Sequence, residues 1–346
     1  MTKDLPMILA GDVGGTKCNL AVFDAREGSL RRVFEGHFEN KNYSNFEGVI
    51  RDFLTRAGPA LAQNGGRINA AGFGVAGPVV DQVVRATNLP WVLDAAALAA
   101  EFEVQRVVLL NDLEATGYGL QVLRPDELFT LNEGQPAKQA NKALIAAGTG
   151  LGEAILFWDG SRYVVSASEG GHCDFAPRNE TEIQLLRFLR QRHQFVEYEM
   201  ILSGRGFRTL HEFVAPGVTH PSFDIPGADP APEITREGLA GTCPHCVKVL
   251  DLFVAVYGAE AGNLALKTLP RSGLYVAGGI AVKILEKMKD GTFMRAFREK
   301  AKLGNLLAKI PVYVVLNPRV PVLGAAARAV ALAGISLSRV SPERSA

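Results

Sequence analysis

The 346-residue chain lacks a surplus of charge of either sign: 37 Lys and Arg face 36 Asp and Glu, leaving a formal net charge of +1. A balance so close to zero gives no global pull on nucleic acid or an anionic membrane, and neither is expected as a partner. Cysteine is scarce, at four residues. That is too few for a disulfide framework in a chain this long, and it points to a reducing cytoplasm. No uncharged apolar stretch is long enough to cross a bilayer. The apolar run before Asp12 is short and has no small-residue cleavage pattern, so a signal peptide is not expected. No GxxxxGK[ST] sequence occurs, which excludes a P-loop. What remains, at 47% hydrophobic residues, is an ordinary globular chain with room for one large or two medium domains.

Glycine, by contrast, is plentiful, with 36 residues, and its placement is informative. In "LAGDVGGTKCNLAVFD" (9–24), Met7 to Ala10 and the run around Leu20 and Val22 read as buried strands, with Gly14 and Gly15 turning between them. A third strand follows near Arg32 to Phe38, and Phe46 to Ala62 has the spacing of an amphipathic helix. "INAAGFGVAG" and "VQRVVLLND" suit strands covered on both faces. "ALIAAGTGLGEAILFWDG" (143–160) repeats the opening pattern: strand, glycine–threonine turn, strand, acid. Thr16 precedes Asp24 in the first copy and Thr149 precedes Asp159 in the second. The recurrence suggests two related halves, although glycine turns between strands are common. "GLYVAGGIA" (273–281) is a further strand ending in a glycine pair. Pro216, Pro221, Pro226, Pro230 and Pro232 mark a loop within the second half.

Backbone N–H groups exposed by such turns can converge on phosphate oxygens, and a threonine hydroxyl adds a donor. Asp12 carries the wrong charge for phosphate but suits Mg²⁺, directly or through water. The GxGxxG at Gly72, Gly74 and Gly77 leads into Pro78 and valines rather than a helix, so a dinucleotide fingerprint is not expected. Asn111 and Asp112 should project from the C-terminal end of a buried strand, where ligands of α/β sheets collect. Alternatively, Asp112 caps the helix that follows. Glu169 and His172 flank a double glycine with spacing poor for a metal and suited to a polyhydroxyl ligand; a satisfied surface turn is the competing reading. Cys243-Pro244-His245-Cys246 imitates a thiol–disulfide motif, but no strand precedes it. With Cys18 and Cys173 a four-cysteine zinc site is badly spaced, and an incidental or mildly redox-sensitive pair is expected.

Taken in order, "DVGGTK", "GVAGPV", "LLNDLEATGYGL", "AAGTGLGEAIL", "SEGGHCDFAP", "EMILSGRG" and "YVAGGI" resemble bacterial glucokinases of the hexokinase family, from about residue 7 to "VLGAAAR" near residue 328. The resemblance implies an α/β, duplicated ribonuclease-H-like (actin-like ATPase) fold with two domains around a deep cleft. Residues 1–121 with 319–346 would form the smaller domain and 122–318 the larger. It implies transfer of the ATP γ-phosphoryl group to the 6-hydroxyl of glucose, with Asp112 as base. Asn111, Glu169, His172 and Glu199 would hold other hydroxyls. Asp12, Gly14, Gly15 and Thr16 would form the first phosphate loop and Gly148, Thr149 and Gly150 the second, with Gly278 and Gly279 against the nucleotide. ATP and Mg²⁺ follow as cofactors and a homodimer as the assembly. Lys17 resembles instead the repressor–kinase branch, whose cysteine-rich zinc motif is absent after His172. No helix-turn-helix extension precedes Asp12, against a sugar-sensing repressor. A kinase for mannose, fructose or N-acetylglucosamine is the alternative, and an actin-like ATPase without sugar chemistry the alternative of another class.

Overall fold

The computed structural model describes residues 7–337 except 65, 88, 219, 221–228 and 336. The chain forms two compact units, one of 1–127 with 317–346 and one of 128–316. The boundaries lie at Glu127/Leu128 and Leu316/Asn317, where the sequence suggested 121/122 and 318/319. Asn317 Nδ2 donates to Glu127 Oε1 at 2.6 Å, tying both ends to the first unit.

In the first unit, strands β1 (Met7–Val13), β2 (Lys17–Asp24) and β3 (Arg31–Glu39) lead to helix α1 (Phe46–Gln63). Strand β4 (Ile68–Val75) is followed by the short β5 (Val79–Val80), β6 (Val83–Arg85) and β7 (Val92–Asp94). Helix α2 (Ala95–Glu101), β8 (Arg106–Asn111) and α3 (Asp112–Gly119) complete this part. The second unit contains β9 (Leu128–Asn132), β10 (Lys142–Ala147), β11 (Leu151–Trp158) and β12 (Tyr163–Ser168). Helices α4 (Glu180–Arg190), α5 (Gly204–Val214), α6 (Ala231–Ala240) and α7 (Pro244–Thr268) follow. Then come β13 (Leu274–Ala277), α8 (Gly279–Lys283), α9 (Leu285–Met288), α10 (Thr292–Arg298), α11 (Gly304–Ala308) and β14 (Val312–Val315). Helix α12 (Val320–Leu332) returns to the first unit.

The two main sheets share one plan. The first has the order β3-β2-β1-β4-β8 and the second β12-β11-β10-β13-β14, with β9 added at its edge. In each, the first, third, fourth and fifth strands run the same way and only the second runs against them. The two glycine–threonine turns occupy the same place in this plan, between first and second strands. The apolar runs are continuous because both faces of the first sheet are covered. Leu9, Val13, Leu20 and Val22 pack with Phe46, Val49 and Phe53 of α1. Ile8, Ala10, Ala21 and Phe23 pack with Val322, Ala325, Ala326 and Ala329 of α12.

One local feature differs from the sequence reading and two add to it. Pro230 and Pro232 lie at the start of α6 rather than in loop, because the first turn of a helix has no N–H bonds for proline to remove. Pro221 and Pro226 lie outside the described residues. Gly72 and Gly74 serve packing: a side chain at Gly72 would collide with the Ala325 carbonyl of α12, and a Cβ at Gly74 would come within 2.8 Å of Ala115 of α3. Finally, α7 is long and apolar enough to span a bilayer. It is mostly buried and carries Asp251 and Glu260, so it is the core helix of the second unit.

Candidate active site

The first unit brings its site residues to one edge, because β1, β4 and β8 are parallel and end together. Val13 pairs with Cys18 to close the first turn, and Gly14 N–H donates to the Lys17 carbonyl at 3.0 Å. Buried Asn40 pins the turn from behind: its side chain donates to the Gly14 carbonyl at 2.8 Å and its backbone N–H to the Thr16 carbonyl at 2.9 Å. Thr16 and Lys17 face solvent, and Lys17 pairs with Glu39 at 3.3 Å.

Asp12 stands one residue before the end of β1, beside Gly74 in register. The absence of a side chain at Gly74 opens a line from Asp12 towards Asp112, whose Cα is 3.8 Å from the Cβ position at Gly74. Burial pushes the Asp12 carboxyl up to about 6, the neighbouring Asp112 carboxylate pushes the same way, and the Asn19 amide opposes both. Two carboxylates held this close favour a cation between them or beside them.

The capping alternative at Asp112 is settled by its neighbour. Asn111 Oδ1 accepts from the N–H groups of Leu113 at 2.9 Å and Glu114 at 3.4 Å, so Asn111 is the N-cap of α3. Its amide also donates to the Gly77 carbonyl at 3.3 Å. Asp112 is the first helical residue and its Oδ1 accepts from Leu113 N–H at 2.9 Å.

The second unit gathers the remaining residues. Ala147 pairs with Leu151, and Gly148 N–H donates to the Gly150 carbonyl at 2.8 Å across the second turn. Gly148 also accepts from Gly204 N–H at the start of α5 at 2.8 Å. Glu199 lies directly under this turn. Its Oε2 accepts from Leu151 N–H at 2.8 Å, and a side chain at Gly150 would collide with its carboxylate. The residue expected at the sugar thus also braces the second glycine–threonine turn.

Glu169 and His172 stand around a 3-10 turn, Gly170–His172. Glu169 is 86% exposed and 3.9 Å from His172 Nε2. The close partner of His172 is Glu197, at 3.1 Å from Nδ1, which the sequence reading missed. No local pattern marked it: Glu197 and Glu199 stand at the start of a 3-10 turn, Tyr198–Met200, and meet His172 only through the fold. The hydrogen bond that His172 donates to Glu197 raises the His172 pKa, with the Glu199 and Glu169 carboxylates adding to it against burial.

A cavity of about 670 Å³ adjoins the second turn. Gly148 and Thr149, Arg205 and Phe207 of α5, Thr235 of α6 and Lys283 of α8 line it, and Gly279 contributes backbone. Gly278 sits before α8 with φ of 87°, against the Ala147 carbonyl. Of these, only Arg205 falls in a stretch that the sequence reading quoted, "EMILSGRG"; Phe207, Thr235 and Lys283 carry no local signal.

A glucokinase family model matches residues 9–332. A glucokinase from Trichormus variabilis is 38% identical over 93% of this chain and 98% of its own length. A glucokinase from Synechocystis is also 38% identical, over 92% of this chain and 96% of its own length. Among solved structures, a glucokinase from an Antarctic psychrotroph superimposes with a TM-score of 0.81 at 27% identity, covering 95% of this chain and 99% of that one. A ROK family glucokinase from Streptomyces griseus, in complex with glucose and AMPPNP, has the same fold: TM-score 0.62, 21% identity, 93% and 99% coverage. The aligned span contains both glycine–threonine turns, the Asn111–Asp112 pair and the Glu169–His172 turn, and the chain belongs to the glucokinase family.

Proposed function

We infer that the chain is an ATP-dependent hexose kinase that transfers the γ-phosphoryl group of ATP to the 6-hydroxyl of glucose. The observation that carries this is the family match over 9–332, which spans every residue assigned a role below. We read the shared strand order as a duplicated ribonuclease-H-like fold of the actin-like ATPase kind, the first unit supplying one phosphate turn and the base, the second the other turn and most sugar contacts.

On this reading the turns at Asp12, Gly14, Gly15 and Thr16 and at Gly148, Thr149 and Gly150 hold the phosphates through N–H and hydroxyl donors. Gly278, Gly279 and the adjoining cavity take the nucleoside. Asn111, Glu169, His172 and Glu199 hold sugar hydroxyls, with Glu197 orienting His172. The sugar 6-oxygen attacks the γ-phosphorus in line, the bond to the β-phosphate oxygen breaks, and the hydroxyl proton passes to Asp112. A carboxylate at Asp112, the first residue of α3, suits late proton acceptance. Because the protein does little covalent work here, alignment of acceptor and phosphate provides most of the rate. Magnesium fits the oxygen donors near Asp12, which would hold it directly or through water. When bound it neutralises charge on the transferred phosphate.

A coupled assay of ADP release, run with ATP and a panel of glucose, mannose, fructose and N-acetylglucosamine, tests acceptor and reaction class together. Glucose is expected to give the highest kcat/KM. Preference for another sugar would reassign the acceptor. ATP turnover unchanged by sugar, with no phosphorylated sugar formed, would favour the actin-like ATPase reading.

A further inference from the structure

The cysteine pair that the kinase reading leaves unused stands among other metal-binding groups. Cys243 is the N-cap of α7 and Cys246 its third residue, so the two thiols share one helix end. Glu237 comes from α6 and His220 from the segment that precedes it. One ligand atom from each of these four residues lies within 4.8 Å of every other. His220 Nε2 is 3.1 Å from Glu237 Oε2, and Cys246 Sγ is 3.9 Å from the same oxygen. A tetrahedron around zinc with thiolate, imidazole and carboxylate ligands has edges of about 3.3–3.8 Å, so only small side-chain adjustments close the shell.

We propose that Cys243, Cys246, His220 and Glu237 form a structural zinc site in the second unit. The donor set is chemically selective. Two thiolates with one imidazole favour zinc over magnesium or calcium, which prefer all-oxygen sites. The surroundings fit as well. His220 and Cys246 are buried. The second oxygen of Glu237 lies 3.5 Å from Arg236, a cation that offsets the negative charge of a two-thiolate, one-carboxylate shell. His211 packs its ring edge-on to His220 at 5.3 Å and to His245 at 6.1 Å. His245 Nδ1 is buried with no hydrogen-bond partner, a polar atom left over at the same helix end. Metal entry would release the two thiol protons and use His220 in its neutral form.

The site has a structural consequence. Thr235, two residues before Glu237, lines the 670 Å³ cavity, and so do Phe207 and Arg208 of α5, one turn before His211. Zinc would clamp the start of α7 to α6 and so hold this wall of the cavity.

The test uses the full chain, untagged and reduced with a phosphine, loaded with Zn²⁺ and then desalted. About one zinc per chain is expected by elemental mass spectrometry. Loading with Co²⁺ instead should give thiolate-to-cobalt charge-transfer absorbance and the strong visible bands of a tetrahedral site. The C243S/C246S variant should lose both, and His220→Gln should lower zinc affinity at least tenfold. Removing zinc from wild-type protein should raise KM for ATP more than it lowers kcat, reversibly on adding zinc back. The cobalt spectrum of wild-type protein does not depend on the variants folding. Metal uptake no greater than in the double serine variant, with all four thiols reduced, would overturn the proposal. So would a Cys243–Cys246 disulfide in the isolated protein that takes up no metal after reduction.

Discussion

On the proposed reading Asp112 is the base, and the N-cap of α3 falls mainly to Asn111, with Asp112 sharing only the Leu113 N–H. Asp112→Asn should therefore lower kcat by about 10²–10⁴-fold while leaving the melting temperature and the KM for glucose close to wild type. Near-normal turnover, measured by ADP release, would remove Asp112 from the mechanism. The type and place of this residue were legible, since an acid after four apolar residues marks a strand end. The division of labour with Asn111 was not, because either residue could cap. A second acidic pair was invisible in sequence. Glu153 and Glu260 come from β11 and α7 and are both buried, and a side chain at Gly170 would collide with the Glu153 carboxyl. Burial raises Glu153 far above the ordinary 4.5, and Glu260 adds to this. Above 4.5 the folded protein holds a proton that the unfolded chain releases, so stability falls as pH rises until the folded group ionises. Glu153→Gln should flatten this fall in denaturant titrations between about pH 5 and pH 9. An unaltered slope would show that another group titrates there.

Helix α3 owes its position to how closely it approaches α12. A side chain at Gly324 would collide with the Ala115 carbonyl and the Gly119 N–H of α3, and one at Gly119 with the Val320 carbonyl of α12. The two helices touch through backbone, and α3 begins at Asp112. Gly324→Ala should thus destabilise the protein by about 1–3 kcal/mol through overpacking. It should also lower kcat, since separating the helices moves the first turn of α3. A variant with lower stability but unchanged kcat, in thermal unfolding and kinase assays, would show that the crossing does not position Asp112. Elements of this scale were the most legible part of the fold. Apolar runs and glycine turns placed β1, β2, β4, β8, β10 and β11, and the helical period placed α1. The partners of these elements were harder to see. Nothing local announces that Gly119 and Gly324 serve one helix crossing, that Gly72 and Gly74 let α12 and α3 down onto β4, or that Glu197 faces His172. Such contacts join chain segments whose separation periodicity does not encode.

For the whole molecule, the decisive feature is that the first unit is built from two distant stretches of chain. Residues 128–316 run without interruption, whereas the first unit needs 317–346 to complete it. Helix α12 buries Val320, Val322, Ala325, Ala326, Ala329 and Val330. Much of this surface lies against Ile8, Ala10, Ala21 and Phe23 on one face of the first sheet. Each buried valine is worth about 1.5–3 kcal/mol, and the alanines and the four sheet residues add to that. A loss of this size is comparable to the whole stability of a domain, about 5–15 kcal/mol. A fragment of residues 128–316 should therefore show a cooperative unfolding transition and dispersed amide resonances. A fragment of residues 1–127 should not, and should gain both when a peptide of residues 317–337 is added at concentrations that saturate binding. The measurement is denaturant unfolding by near-ultraviolet circular dichroism, with and without the peptide. If residues 1–127 unfold cooperatively alone, with a midpoint that the peptide does not move, α12 is a cover on a core that is already sufficient.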